Sequence, residues 1–141
     1  MSFFTTYSKK LENLIAAVIF LITFAVYFST MAPTVSFWDT GEFIATSHIL
    51  GVPHPPGSPL FLLVGKFFSL IPLSSDIAFR VNIFSPIISA ITISLLFLIC
   101  NEFIDRLDPN DDNRFFKMWS SLTASLSFAF THCHWLNAVD T

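Results

Sequence analysis

The sequence predicts an all-α integral membrane fold, with about three transmembrane helices and an extracytoplasmic first loop that contains short interfacial helices. Composition is the first observation behind this: 53% hydrophobic, only 12% charged, 18 phenylalanines and a mean hydropathy of +0.67. An ordinary soluble domain carries about 25% charge, roughly twice as much. The second observation is three windows without Asp, Glu, Lys or Arg: Asn13–Trp38, Val81–Asn101 and Met118–Val139. Each exceeds the ~20 residues that a helix needs to cross about 30 Å of hydrocarbon. Spans are therefore expected at about Leu14–Met31, Asn82–Cys100 and Trp119–Leu136.

The first span follows Lys9 and Lys10, as a secretory signal would, and ends near the small residue Ala32. Its apolar core is longer than a signal h-region and no small-x-small cleavage site closes it, so it reads as an uncleaved anchor. Basic residues near the span ends set orientation. Lys9 and Lys10 precede the first span, its other flank has no basic residue before Lys66, and the loop after the second span carries Arg106, Arg114 and Lys117. The acids of that loop, Glu102, Asp105, Asp108, Asp111 and Asp112, count little in the positive-inside rule. The N-terminus and loop 102–117 are thus expected in the cytoplasm, with residues of about 32–80 on the opposite side.

Loop 32–80 carries helix punctuation. Asp39 with Glu42 three residues on has the spacing of a reciprocal N-terminal cap, opening a short helix that Gly51 would close. Val52–Pro59 (VPHPPGSP) cannot be regular helix, because Pro53, Pro55 and Pro56 lack amide donors and push their predecessors toward extended backbone. Ser58 then caps a second helix with Pro59 at its first position, running to about Leu70. This helix is too short for a span and fits one lying along the membrane surface. Between the second and third spans, Asp108-Pro109-Asn110-Asp111-Asp112-Asn113 has acids spaced faintly like a calcium loop. It lacks glycine at the sixth position and glutamate at the twelfth, so it reads as a solvated connector.

Two classes of function are disfavoured at once. A net charge of −3 without a basic stripe argues against nucleic acid as a partner. Cys100 and Cys133 both fall in expected spans, where a buried thiol is the ordinary state and no disulfide framework is implied. Carboxylates beside a bilayer are costly and commonly functional, which singles out Asp39 and Glu42. Capping alone would justify the pair; alternatively Asp39 is a catalytic carboxylate, tuned by Glu42 one turn along the same face. Trp38, an interface-favouring aromatic, places Asp39 at the water-facing lip of the bilayer. His48 and His54 are ordinarily packing residues, and their spacing is not a metal spacing. His132-Cys133-His134 cannot converge on one ion, since successive helical residues point about 100° apart. Arg80 reads equally as a snorkelling interfacial anchor or as a phosphate clamp.

Pro33–Ile44 (PTVSFWDTGEFI), Pro53–Phe61 (PHPPGSPLF) and Phe79–Asn82 (FRVN) together resemble the opening of a family of polytopic membrane proteins. That family was long catalogued as a domain of unknown function and includes a eukaryotic transmembrane protein O-mannosyltransferase. It is similar to the GT-C superfamily, whose members take sugar from a polyprenyl-phosphate carrier. The likeness covers about residues 14–141 in order and spacing. It implies a GT-C-like fold, of which this chain resembles an N-terminal fragment inactive alone, and a catalytic acid in the first extracytoplasmic loop.

On this sequence that acid maps to Asp39, with Glu42 its neighbour. The scheme so implied has Asp39 as general base toward a Ser or Thr hydroxyl of a translocated protein, while His54 or Arg80 stabilises the leaving lipid phosphate near Trp38. It needs no metal and no other cofactor. Partners would be the lipid-linked sugar, a protein or peptide acceptor and membrane lipid, in a bacterial inner membrane or an endoplasmic reticulum. The alternative, from another class, is a transporter or lipid-handling protein in which VPHPPGSP is a re-entrant segment lining a substrate path.

Overall fold

A computed structural model describes residues 2–36, 38–107 and 113–139, with side chains from Lys9 onward. Phe37 and the 108–112 stretch of the polar connector lie outside the described residues. Among the described residues seven helices follow one another: α1 (Ser2–Thr30), α2 (Thr40–Ile49), α3 (Pro59–Leu70), α4 (Ile77–Asn82), α5 (Phe84–Leu107), α6 (Arg114–Ala129) and α7 (His132–Val139). No strand occurs among the described residues.

Two segments are long and apolar enough to cross a membrane: Lys9–Thr30 in α1, 22 residues, and Ile77–Leu107 through α4 and α5, 31 residues. They match the first two expected spans. α1 and α5 lie against each other, and small residues let them approach: Ala16 and Ala90 are buried, and Ser94 Oγ donates to Ala16 O at 2.8 Å. Close backbone approach over small residues, tied by an interhelical hydroxyl bond, suits helices that gain little from apolar burial in lipid. Ile19, Ile93, Phe97 and Ala129 fill the seam with α6.

The third expected span is not one helix. α6 has 16 residues, about 24 Å at 1.5 Å per residue, short of ~30 Å of hydrocarbon. It stops at Phe130 and Thr131, and α7 restarts at His132 with Trp135 N–H donating to Thr131 O. Hydroxyls satisfy the groups freed by the break: Tyr27 OH donates to Ala129 O at 2.9 Å and Thr131 Oγ1 to Phe128 O at 2.8 Å. An unbroken apolar run is compatible with such a break because Phe130 and Thr131 leave no Gly or Pro signature. α6 buries Lys117, Ser121, Ser125 and Ala129 at four-residue intervals, and Lys117 Nζ bonds Asp105 Oδ1 at 3.1 Å.

α2, α3 and α4 form a smaller helical unit beside the C-terminal end of α1 and the start of α5. Ile44, Ala78 and Val81 are its core, with Phe61 and Ile77 against them. α3 begins at Pro59 and ends at Leu70 as expected, although Ser58 makes no side-chain cap bond. Its Phe61 and Phe68 rings meet Phe84, the first residue of α5. On its other face Leu60, Leu63, Phe67 and Leu70 are exposed. α2 closes one residue earlier than expected: Leu50, not Gly51, takes the left-handed conformation at φ 54°, and Gly51 N–H donates to Thr46 O at 2.8 Å. A groove of about 510 Å³ lies elsewhere, between α1 and α5 among Lys9, Glu12, Leu95, Phe103 and Arg106. It shares no residue with the first-loop motif.

Candidate active site

The spacing of Asp39 and Glu42 has a use other than capping. Asp39 occupies the N-cap position of α2 with φ −81° and ψ 2°, and its side chain accepts no cap hydrogen bond. Glu42 does not reach back to Asp39 either. Its Oε1 accepts the backbone N–H of His54 at 2.7 Å and its Oε2 accepts from His54 Nδ1 at 2.8 Å. A carboxylate only accepts, so Nδ1 carries the proton. His54 Nε2 then faces Asp39 Oδ2 at 3.8 Å, too far for a hydrogen bond. The edge of the imidazole packs on Phe43 with ring centroids 5.9 Å apart.

The Pro-rich loop makes this possible. Backbone that cannot be helix leaves α2, turns through Gly57 at φ 75°, and swings His54 back over the first turn of α2. Gly57 N–H donates to His54 O at 3.0 Å, closing the turn. Ligand atoms of Asp39, Glu42 and His54 all lie within 4.8 Å of one another. That is the one group of metal-capable side chains gathered among the described residues, and two oxygens of Glu42 are already spent on His54.

The electrostatics follow from these contacts. Hydrogen bonding to His54 holds the Glu42 carboxyl below its usual range, and hydrogen bonding to Glu42, reinforced by the charge of Glu42 and then Asp39, raises the His54 imidazole above its usual value. The signs give a window. The Glu42 contribution is present above the ordinary carboxylate range and lost as pH falls through its lowered value. The His54 contribution is full below the ordinary histidine value and lost as pH rises through its raised one. Both signs widen the ion pair's range: it persists below the ordinary carboxylate value on one side and above the ordinary histidine value on the other.

Of the five residues singled out in the sequence, the structure brings Asp39, Glu42 and His54 together and keeps Trp38 adjacent. Trp38 is 95% exposed and has φ 61°, a conformation a bulky residue adopts at a cost of about 1–2 kcal/mol. Arg80 is engaged elsewhere. Its Nη1 donates to Ser69 O at 2.8 Å and its Nη2 to Ser75 O at 3.3 Å, clipping the α3–α4 turn. Its neighbour Asn82 was not singled out, yet it ties the site in place: Nδ2 donates to Ala32 O and Thr34 O, both at 3.0 Å. His48 packs α2 on α3, with Nδ1 3.3 Å from Ser69 Oγ and its carbonyl accepting from Lys66 Nζ.

The chain is similar to known proteins. The chain is 28% identical over 134 residues to the protein O-mannosyl-transferase tmem260 of Dictyostelium discoideum, covering 94% of this chain and 15% of that protein. It is 40% identical over 80 residues to protein O-mannosyl-transferase TMEM260 of Mus musculus, covering 56% of this chain and 11% of that protein. No solved structure matches. The family described as the protein O-mannosyl-transferase TMEM260 N-terminal domain matches residues 39–141, starting at the carboxylate that opens α2, and the chain belongs to that family.

Proposed function

We propose that this chain is the acid-bearing part of a GT-C-like membrane glycosyltransferase that moves a sugar from a polyprenyl-phosphate to a Ser or Thr hydroxyl of a translocated protein. The observation that carries it is the Asp39 carboxylate, at a helix start it does not cap and open toward His54 Nε2. A carboxylate spared from capping is available to take the proton of an attacking hydroxyl as the new glycosidic bond forms. The donor's phosphate then sits beside His54 and Trp38 rather than at Arg80, whose guanidinium holds two backbone carbonyls. The exposed apolar face of α3, anchored at the first residue of α5, lies in the interface and brings the lipid tail to the same lip.

The choice of donor is the direct test. The complete protein in membranes or detergent should transfer radiolabelled mannose to an acceptor peptide from dolichyl-phosphate mannose and not from the nucleotide-diphosphate sugar. Transfer from the nucleotide sugar alone would end this reading. The orientation inferred from the basic residues is checked separately: single-cysteine labels at Ser58 and Asn110 should react from the extracytoplasmic and cytoplasmic sides respectively, and the reverse pattern would place the site on the wrong face.

A further inference from the structure

Glu42 and Asp39 are both candidate catalytic acids by sequence, but their surroundings separate them. Both Glu42 oxygens are occupied, one by the backbone N–H and one by the ring of the same residue, His54. With the Phe43 ring against the imidazole, the residue is held at three places, two of them on the ring, and the nitrogen left open is Nε2. At 3.8 Å Nε2 and Asp39 Oδ2 make no hydrogen bond to each other, so each can meet a different substrate oxygen.

We propose that Glu42 takes no proton and touches no substrate, but positions His54, so that the two form a dyad whose Nε2–H is aimed at the leaving phosphate oxygen of the donor. The inference rests on the transferase reading above. As the acceptor oxygen bonds to the sugar's anomeric carbon, its proton passes to Asp39. The bond from that carbon to the phosphate oxygen breaks, and the electron pair stays on the phosphate. The oxygen that gains this charge receives the Nε2–H hydrogen bond, which a charged donor makes about twice as strong as a neutral one. His54 keeps its proton throughout, so no further acid is consumed. Among the described residues the charged groups facing His54 are Glu42 and Asp39, both carboxylates that favour the imidazolium; Lys66 and Arg80 bond backbone carbonyls elsewhere.

A double-mutant cycle in the complete protein tests this. Glu42→Gln and His54→Ala should each lower kcat/KM for the lipid donor by about 10–100-fold, the usual worth of a charge-assisted hydrogen bond. The double variant should be no worse than His54→Ala by more than about 2-fold, because residues acting through one contact are not additive. Glu42→Gln should also move the alkaline limb of the pH profile to lower pH, and lower the midpoint of the His54 imidazole titration followed by NMR without substrate. If His54→Ala unfolds, His54→Gln takes its place in the cycle. Losses that multiply in the double variant, or an imidazole midpoint unmoved by Glu42→Gln, would overturn the dyad. The outcome is separable from the role of Asp39: a non-additive cycle with an active Asp39→Asn variant keeps the dyad and removes the base, and an additive cycle with an inactive Asp39→Asn variant does the opposite.

Discussion

Asp39→Asn should leave expression and membrane insertion near normal while lowering sugar transfer by a factor of roughly 10²–10⁴, the usual worth of a general base. The substitution isolates chemistry from folding for two reasons. Asparagine caps helices about as well as aspartate, and in this structure the Asp39 side chain accepts no cap bond whose loss could be felt. What changes is charge: an amide cannot take the proton of an attacking hydroxyl. The assay is transfer from a radiolabelled polyprenyl-phosphate sugar in membranes carrying the complete protein, normalised to protein level. Transfer near the wild-type level would show that Asp39 is not the base, and would move the search to other carboxylates of the protein.

Why the sequence marks Asp39 and Glu42 but not the partner of Glu42 is a matter of range. Local signals were legible: Pro59 at the start of α3, the proline-barred helix from Val52 to Ser58, and two charge-free runs that became α1 and α5. Each depends on a few adjacent residues and on steric rules that tertiary contacts seldom override. The pairing of Glu42 with His54 spans 12 residues and depends on where the proline-rich turn points. The spacing of Asp39 and Glu42 fits a reciprocal cap equally well, and only the fold decides between them. The same holds for Arg80, which lends itself to a phosphate clamp until two carbonyls in the preceding turn are seen to claim it. The break between α6 and α7 was invisible for another reason: Tyr27, more than 100 residues away, donates the hydrogen bond that the freed Ala129 carbonyl accepts.

Asn82→Asp should disable the site without touching any residue that would meet substrate. Asn82 is 1% exposed, and its amide donates both protons to the carbonyls of Ala32 and Thr34, 50 and 48 residues earlier. Those carbonyls belong to the segment that leads from the end of α1 to Trp38 and Asp39. A carboxylate of the same shape replaces two donors with an acceptor oxygen, so that oxygen faces oxygen in a buried place, while Asn82 Oδ1 already lacks a partner. An uncompensated buried charge costs about 3–5 kcal/mol; protonation would relieve the charge and still leave one carbonyl without its donor. Asn82→Ala, which removes the donors and adds no charge, should cost less, about 1–3 kcal/mol. Thermal unfolding in detergent should therefore rank wild type above Asn82→Ala and Asn82→Asp last. Transfer should fall in the same order, because this side chain ties down the start of the segment that leads to Asp39. A stable Asn82→Asp protein with normal transfer would show that the segment keeps its place without the clamp, and that Asp39 is positioned from the α2 side only.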